Sequence, residues 1–146
     1  DKLYASYFDH VLGSTSNEFV RDYFVFQQNL RNVVAALRAR KKGLDPSDYL
    51  IGEGEIVNIL CSSTAEDFGL ALEFPWIESL IKAETPHESQ AVIDQIQWDY
   101  LDEHAGPDPF DFSMILAYLL KLEILHRHLA LSDEKGMEKV RRLGGL

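Results

Sequence analysis

The apolar positions of this chain recur at helical spacing. Phe19, Tyr23, Phe26, Leu30, Val33 and Leu37 follow one another at steps of four and three, the period of one face of an α-helix. The pattern predicts a long amphipathic helix from Asn17 to Lys42. Thr15-x-x-Glu18 reads as a capping box at its start, satisfying amides that lack an intrahelical partner. Phe24 and Val25 widen the stripe and predict burial on two sides near that end. Gly43 is the expected left-handed terminator, with Lys41 and Lys42 before it at the negative end of the helix dipole.

Shorter segments carry the same period. Residues 2–12 place Tyr4, Phe8 and Val11 on one face, with Leu3 and Tyr7 beside them. Residues 44–54 read as a loop between Asp45-Pro46 and Gly54. Short helices are expected over 55–61 and 64–68, and a further one from Phe74-Pro75 to Ala83. Residues 87–103 form the next, ended by Gly106-Pro107. Asp108 followed by Pro109 predicts the start of a second long helix, running to Leu131, and Ser132-Asp133 a last short one. No run alternates as a strand does, and no internal repeat is visible. The expected fold is all-α: one helical domain with two long amphipathic helices and several short ones.

Two asparagines interrupt the long helix. Asn29 lies one turn from Phe26 and Val33, so it is expected to be buried. A buried amide without partners costs about 1–3 kcal/mol. Asn32 follows three residues later. Beyond them Arg31, Arg38, Arg40, Lys41 and Lys42 gather five of the 14 basic residues into one short stretch. They can compensate the helix dipole, pair with acidic residues of the same chain, or meet a partner.

Charge sharpens this picture. From Gly43 to Leu120 there are 16 acidic residues and one basic residue, against a net charge of −10 for the whole chain. Such a segment disfavours phosphate backbones and anionic lipid as partners. It reads as a solvated acidic surface or as a face for a basic partner. One cysteine, Cys61, cannot form an internal disulfide, which fits a reducing compartment. The most apolar run, Met114 to Leu120, is far short of the roughly 20 residues that cross a bilayer. A length of 146 residues suits a single domain. The chain opens on Asp1, directly into an amphipathic pattern, and reads as the later part of a longer protein.

No catalytic or cofactor-binding residue is expected. His126 and His128 are two apart, whereas helical metal pairs sit three or four apart. Glu123 pairs by spacing with Arg127. Cys61 has no histidine nearby in sequence. Gly52-x-Gly54 lacks the lysine and serine of a phosphate-binding loop. Asp67-Phe68-Gly69 matches the metal-binding triplet of protein kinases, but the glycine-rich loop, strand lysine and catalytic-loop aspartate are missing. Paired carboxylates such as Glu66/Asp67 and Asp102/Glu103 point to different helix faces.

Leu30, Asn32, Val33, then Leu37-Arg38-Ala39-Arg40, Gly43-Leu44 and Tyr49-Leu50-Ile51 stand in an order that resembles the C subunit of archaeal and bacterial V-type ATPases, the relative of the eukaryotic d subunit. Asp67-Phe68-Gly69-Leu70, Glu73-Phe74-Pro75, and Ile93-Asp94 followed by Trp98, Tyr100, Leu101 and Asp102 are similar to a bacterial family encoded beside V-type ATPase genes. Where the last helix of the C subunit reads E-x-x-N-L-R, this chain has Glu123 followed by His126, Arg127 and His128. The resemblance implies a C-subunit-like helical domain with no catalysis, cofactor or metal. It implies a cytoplasmic protein, peripheral to the membrane, that couples the central rotor stalk to the proteolipid ring. Asn29, Asn32, Arg38 and Gly43 would be its structural motif, and Arg38, Arg40, Lys41 and Lys42 a partner interface. A helical adaptor of another complex is the alternative, and a carboxylate- or histidine-dependent enzyme a third class.

Overall fold

The computed structural model describes residues 17–108 and 110–144. The expected helix over 2–12 lies outside them. The described residues form five α-helices and one 3-10 turn, with no strand among them: α1 (Glu18–Lys41), the 3-10 turn (Pro46–Tyr49), α2 (Glu55–Ser62), α3 (Ile77–Lys82), α4 (Pro86–His104) and α5 (Phe112–Gly144). The all-α class read from the periodicity is the observed one. The chain divides into two compact units, residues 1–93 and 94–146.

In the first unit α1 carries the core. Leu30, Val33, Ala36 and Ala39 are buried along it, together with Ile51, Leu60, Phe68, Leu70, Ile77 and Leu80 from the segments that follow. Large apolar side chains contribute about 1.5–3 kcal/mol each when fully buried. The N-terminal third of α1 is less enclosed than expected: Phe24 is half-buried and Val25 exposed. The capping residue is Asn17, whose Oδ1 accepts from the Val20 amide at 3.1 Å. Thr15, the expected capping residue, lies outside the described residues. At the other end Gly43 has φ +67°. The Gly43 amide donates to the Arg40 carbonyl at 3.0 Å and the Leu44 amide to the Ala39 carbonyl at 2.9 Å. This 5→2 and 6→1 pair is the Schellman ending that a terminal glycine allows.

One expected short helix is absent. Residues 64–68 form a turn, because Phe68 and Gly69 both take left-handed backbone, φ +57° and +75°, which no helix continues. Pro86 does open α4, and its cap is a reciprocal box. Thr85 Oγ1 accepts from the Glu88 amide, and Glu88 Oε2 accepts from the amides of Glu84 and Thr85. Those two backbone donors hold the Glu88 carboxyl below its ordinary range.

In the second unit the Asp94–His104 part of α4 and the helix α5 bury Ile96, Leu101, Ala117 and Ile124. Helix α5 starts at Phe112, later than Asp108-Pro109 suggested. Asp108 Oδ1 instead accepts from the Phe110 amide, and Asp111 takes over as cap, its Oδ1 accepting from the Ser113 amide at 3.4 Å and its Oδ2 from the Ser113 hydroxyl at 2.9 Å. No break occurs at Ser132-Asp133: α5 is one helix of 33 residues. Serine and aspartate start helices only where the preceding turn is not already helical, and no proline or glycine interrupts it there.

Candidate functional site

The site assembled around α1 is a helix-to-loop clamp. Asn32 is 1% exposed. Its Nδ2 donates to the Ile51 carbonyl at 2.9 Å, and its Oδ1 accepts from the Ile51 amide at 2.9 Å. One side-chain amide thus satisfies both backbone groups of a buried loop residue, as a neighbouring strand would. Gln28, one turn earlier, donates a second bond to the same carbonyl at 3.1 Å. The loop reaches this position through the 3-10 turn, capped by Asp45, whose Oδ1 accepts from the amide and hydroxyl of Ser47. The backbone donor at Ser47 lowers the Asp45 pKa.

Gly52 completes the clamp. It has φ +83°, and a Cβ there would lie 2.2 Å from Gln28 Nε2. Gly52→Ala is therefore expected to lose the Gln28 bond and to strain the backbone, at about 1–2 kcal/mol together. Thermal denaturation monitored by circular dichroism reads this. A variant as stable as the wild type would mean that Gln28 moves aside without loss.

The basic end of α1 works inside the first unit. Both terminal nitrogens of Arg40 donate to backbone carbonyls, Nη1 to Ala65 and Nη2 to Ser63. Its guanidinium also lies 3.7 Å from the ring centroid of Phe68, a cation–π contact. Phe68 is 2% exposed and is the non-glycine residue with positive φ among those described. Asp67 Oδ1 accepts from the Gly69 amide at 2.9 Å, which closes the turn locally. The Asp67-Phe68-Gly69 triplet is thus a packed turn. Lys41 Nζ donates to the Ala83 carbonyl at 3.0 Å. Arg38 and Lys42 are exposed. Of the four basic residues read as a partner interface, two thus hold loops of their own unit.

Sequence reasoning singled out Asn29 for burial, yet Asn29 is half-buried and the buried amide is Asn32. The missed signal was small residues. Asn32, Ala36 and Ala39 lie at steps of four and three, one helix face, and its alanines leave room for a backbone to approach.

The second unit holds a polar group of its own. Asp94, 7% exposed, accepts from Arg127 Nη2 at 2.7 Å, and His128 Nδ1 lies 3.8 Å from its other oxygen. Arg127 also reaches Gln97 at 3.3 Å. The expected Glu123–Arg127 pairing gives way to the more buried carboxylate, because removal from water strengthens the attraction. Lys121 pairs with Asp102 and lies 4.9 Å from the Trp98 ring centroid. Asp94, Trp98 and Asp102 of one sequence pattern thus hold α4 to α5. Among the described residues no three of the histidine, cysteine, aspartate and glutamate side chains are grouped to hold a metal ion. No helix among them is long and apolar enough to cross a membrane.

Two uncharacterised chlamydial proteins are similar to this chain. One, from Chlamydia pneumoniae, is 29% identical over 136 residues, covering 89% of the chain and 51% of the relative. The other, from Chlamydia muridarum, is 26% identical over 145 residues, covering 95% and 54%. The chain therefore spans about half the length of these curated relatives. No solved structure matches it. The family described as "Protein of unknown function (DUF2764)" matches residues 1–145, and the chain belongs to it.

Proposed function

We propose that this chain is a non-catalytic, C-subunit-like component of a V-type ATPase, cytoplasmic and peripheral to the membrane, coupling the central rotor stalk to the proteolipid ring. One observation carries the reading. Asn32, Arg40, Gly43 and Ile51, which stand in the order of the C-subunit motif, build the helix ending and the loop clamp of α1. Part of the likeness thus falls on one hydrogen-bonded helix-to-loop element. Close-packed helices deform little, which suits a part that transmits torque. Recognition would fall to the acidic surface, where Glu53, Glu55, Glu66, Glu73, Glu78 and Glu84 are all exposed.

The full-length protein is expected to retain its cognate stalk proteins in a pull-down at low salt. Exposed charges are screened over about 8 Å at physiological ionic strength, so association should slow as salt rises. Salt-insensitive binding would point instead to an apolar interface. No binding to any cognate ATPase component would replace this reading with that of a helical adaptor serving another complex, since a fold alone does not fix function.

A further inference from the structure

Helix α5 carries two apolar faces. Ser113, Ala117 and Ile124 are buried in the second unit. On another face Ile115, Tyr118, Leu122, Leu125 and Leu129 are between 44% and 63% exposed. These five follow one another at steps of three, four, three and four. That is the a/d repeat with which one helix seats its side chains between those of another. The stripe spans about 21 Å of helix, and Leu119 widens it on one side. Scattered surface leucines are ordinary, but a continuous stripe marks an interaction face.

Charge and size say what fits there. The residues flanking the stripe are Met114, Leu119, Lys121, His126 and His128. No carboxylate is among them, and Lys121 already pairs with Asp102 of the same unit. The seam therefore carries no acidic residue of its own, although the chain as a whole carries −10. A basic partner finds no carboxylate on the flanks to pair with, while two copies can meet along the seam without setting carboxylates of the flanks against one another. Half-exposed side chains of this kind offer on the order of 100 Å² each, so five from each of two copies bury on the order of 1,000 Å², the size of a weak but specific interface.

We infer that α5 is a self-association surface, and that two copies of this chain pair their α5 helices along Ile115–Leu129. The same patch serves on both sides, as a two-fold interface requires. The inference stands independently of the V-type ATPase reading, which places partner recognition on the acidic surface.

Sedimentation equilibrium of the 146-residue chain tests it, from low micromolar to several hundred micromolar. The mean mass should rise from one chain towards two. The Leu122→Glu/Leu125→Glu variant should associate at least tenfold more weakly with unchanged helix content, while Leu44→Glu, away from the stripe, should behave as the wild type. If the double variant loses helix content, Tyr118→Ser/Leu129→Ser, at the two most exposed positions, carries the same expectation. A wild type that stays monomeric throughout overturns the inference, even if its stripe is later found covered by another protein. So does a dimer that persists in a folded stripe variant.

Discussion

Phe68→Ala is expected to cost about 3–5 kcal/mol, enough to remove much of the stability of a domain of this size. Phe68 is among the largest fully enclosed side chains of the first unit. Its removal leaves a cavity under the Ser63–Leu70 turn and takes the ring from beneath Arg40, whose guanidinium would keep only its two carbonyl partners. Alanine gives no relief in exchange, because it is strained at φ +57° just as phenylalanine is. Urea denaturation should show a lower midpoint at unchanged slope. A loss under about 1 kcal/mol would show that the turn collapses onto the gap or that Phe68 is not packed.

The second large effect is expected at Asn32. In Asn32→Leu the Ile51 carbonyl keeps Gln28 as a donor, but the buried Ile51 amide loses its acceptor. Orphaning such a group costs about 1–3 kcal/mol. Asn32→Asp separates the two halves of the bond. It keeps an acceptor for the Ile51 amide but sets a carboxylate oxygen against the Ile51 carbonyl, so it too should destabilise. Asn29→Leu is the control: Asn29 is half-buried, and its replacement should cost much less. Equal losses at Asn29 and Asn32 would contradict the assignment of the clamp.

The elements that periodicity and caps specify together were legible in the sequence. Helix α1 needed only its stripe and Gly43, and α4 its bounding Pro86 and Gly106. Two other features were not. The Phe68 turn is set by tertiary packing: the burial of one ring and the reach of Arg40 from α1 override local preference, so a left-handed phenylalanine has no sequence signature. The choice between Asn29 and Asn32 turned on where the loop backbone approaches. Large apolar neighbours pointed to Asn29, whereas the loop meets α1 at Asn32, on the face that also carries the small side chains of Ala36 and Ala39. The start of α5 moved for a similar reason. Asp108 and Asp111 both cap local donors, and only the Asp111–Ser113 pair leads into the helix. Of the candidate site, the residue types were visible, but which of the basic residues are engaged within the chain was not. Arg40 and Lys41 differ from Arg38 and Lys42 only in which carbonyls fold within their reach.

The claim on which the functional reading rests is that Asn32 locks the Ile51 segment onto α1 as one rigid body. Amide hydrogen exchange at Ile51 tests it most directly, because that amide lies outside the helices and has Asn32 Oδ1 as its acceptor. The expected result is protection comparable to the core of α1, lost in Asn32→Leu under conditions where the helix amides remain protected. Exchange of the wild-type Ile51 amide at the rate of an open loop would contradict the clamp, and with it the rigid helix-to-loop element proposed to carry the C-subunit-like role.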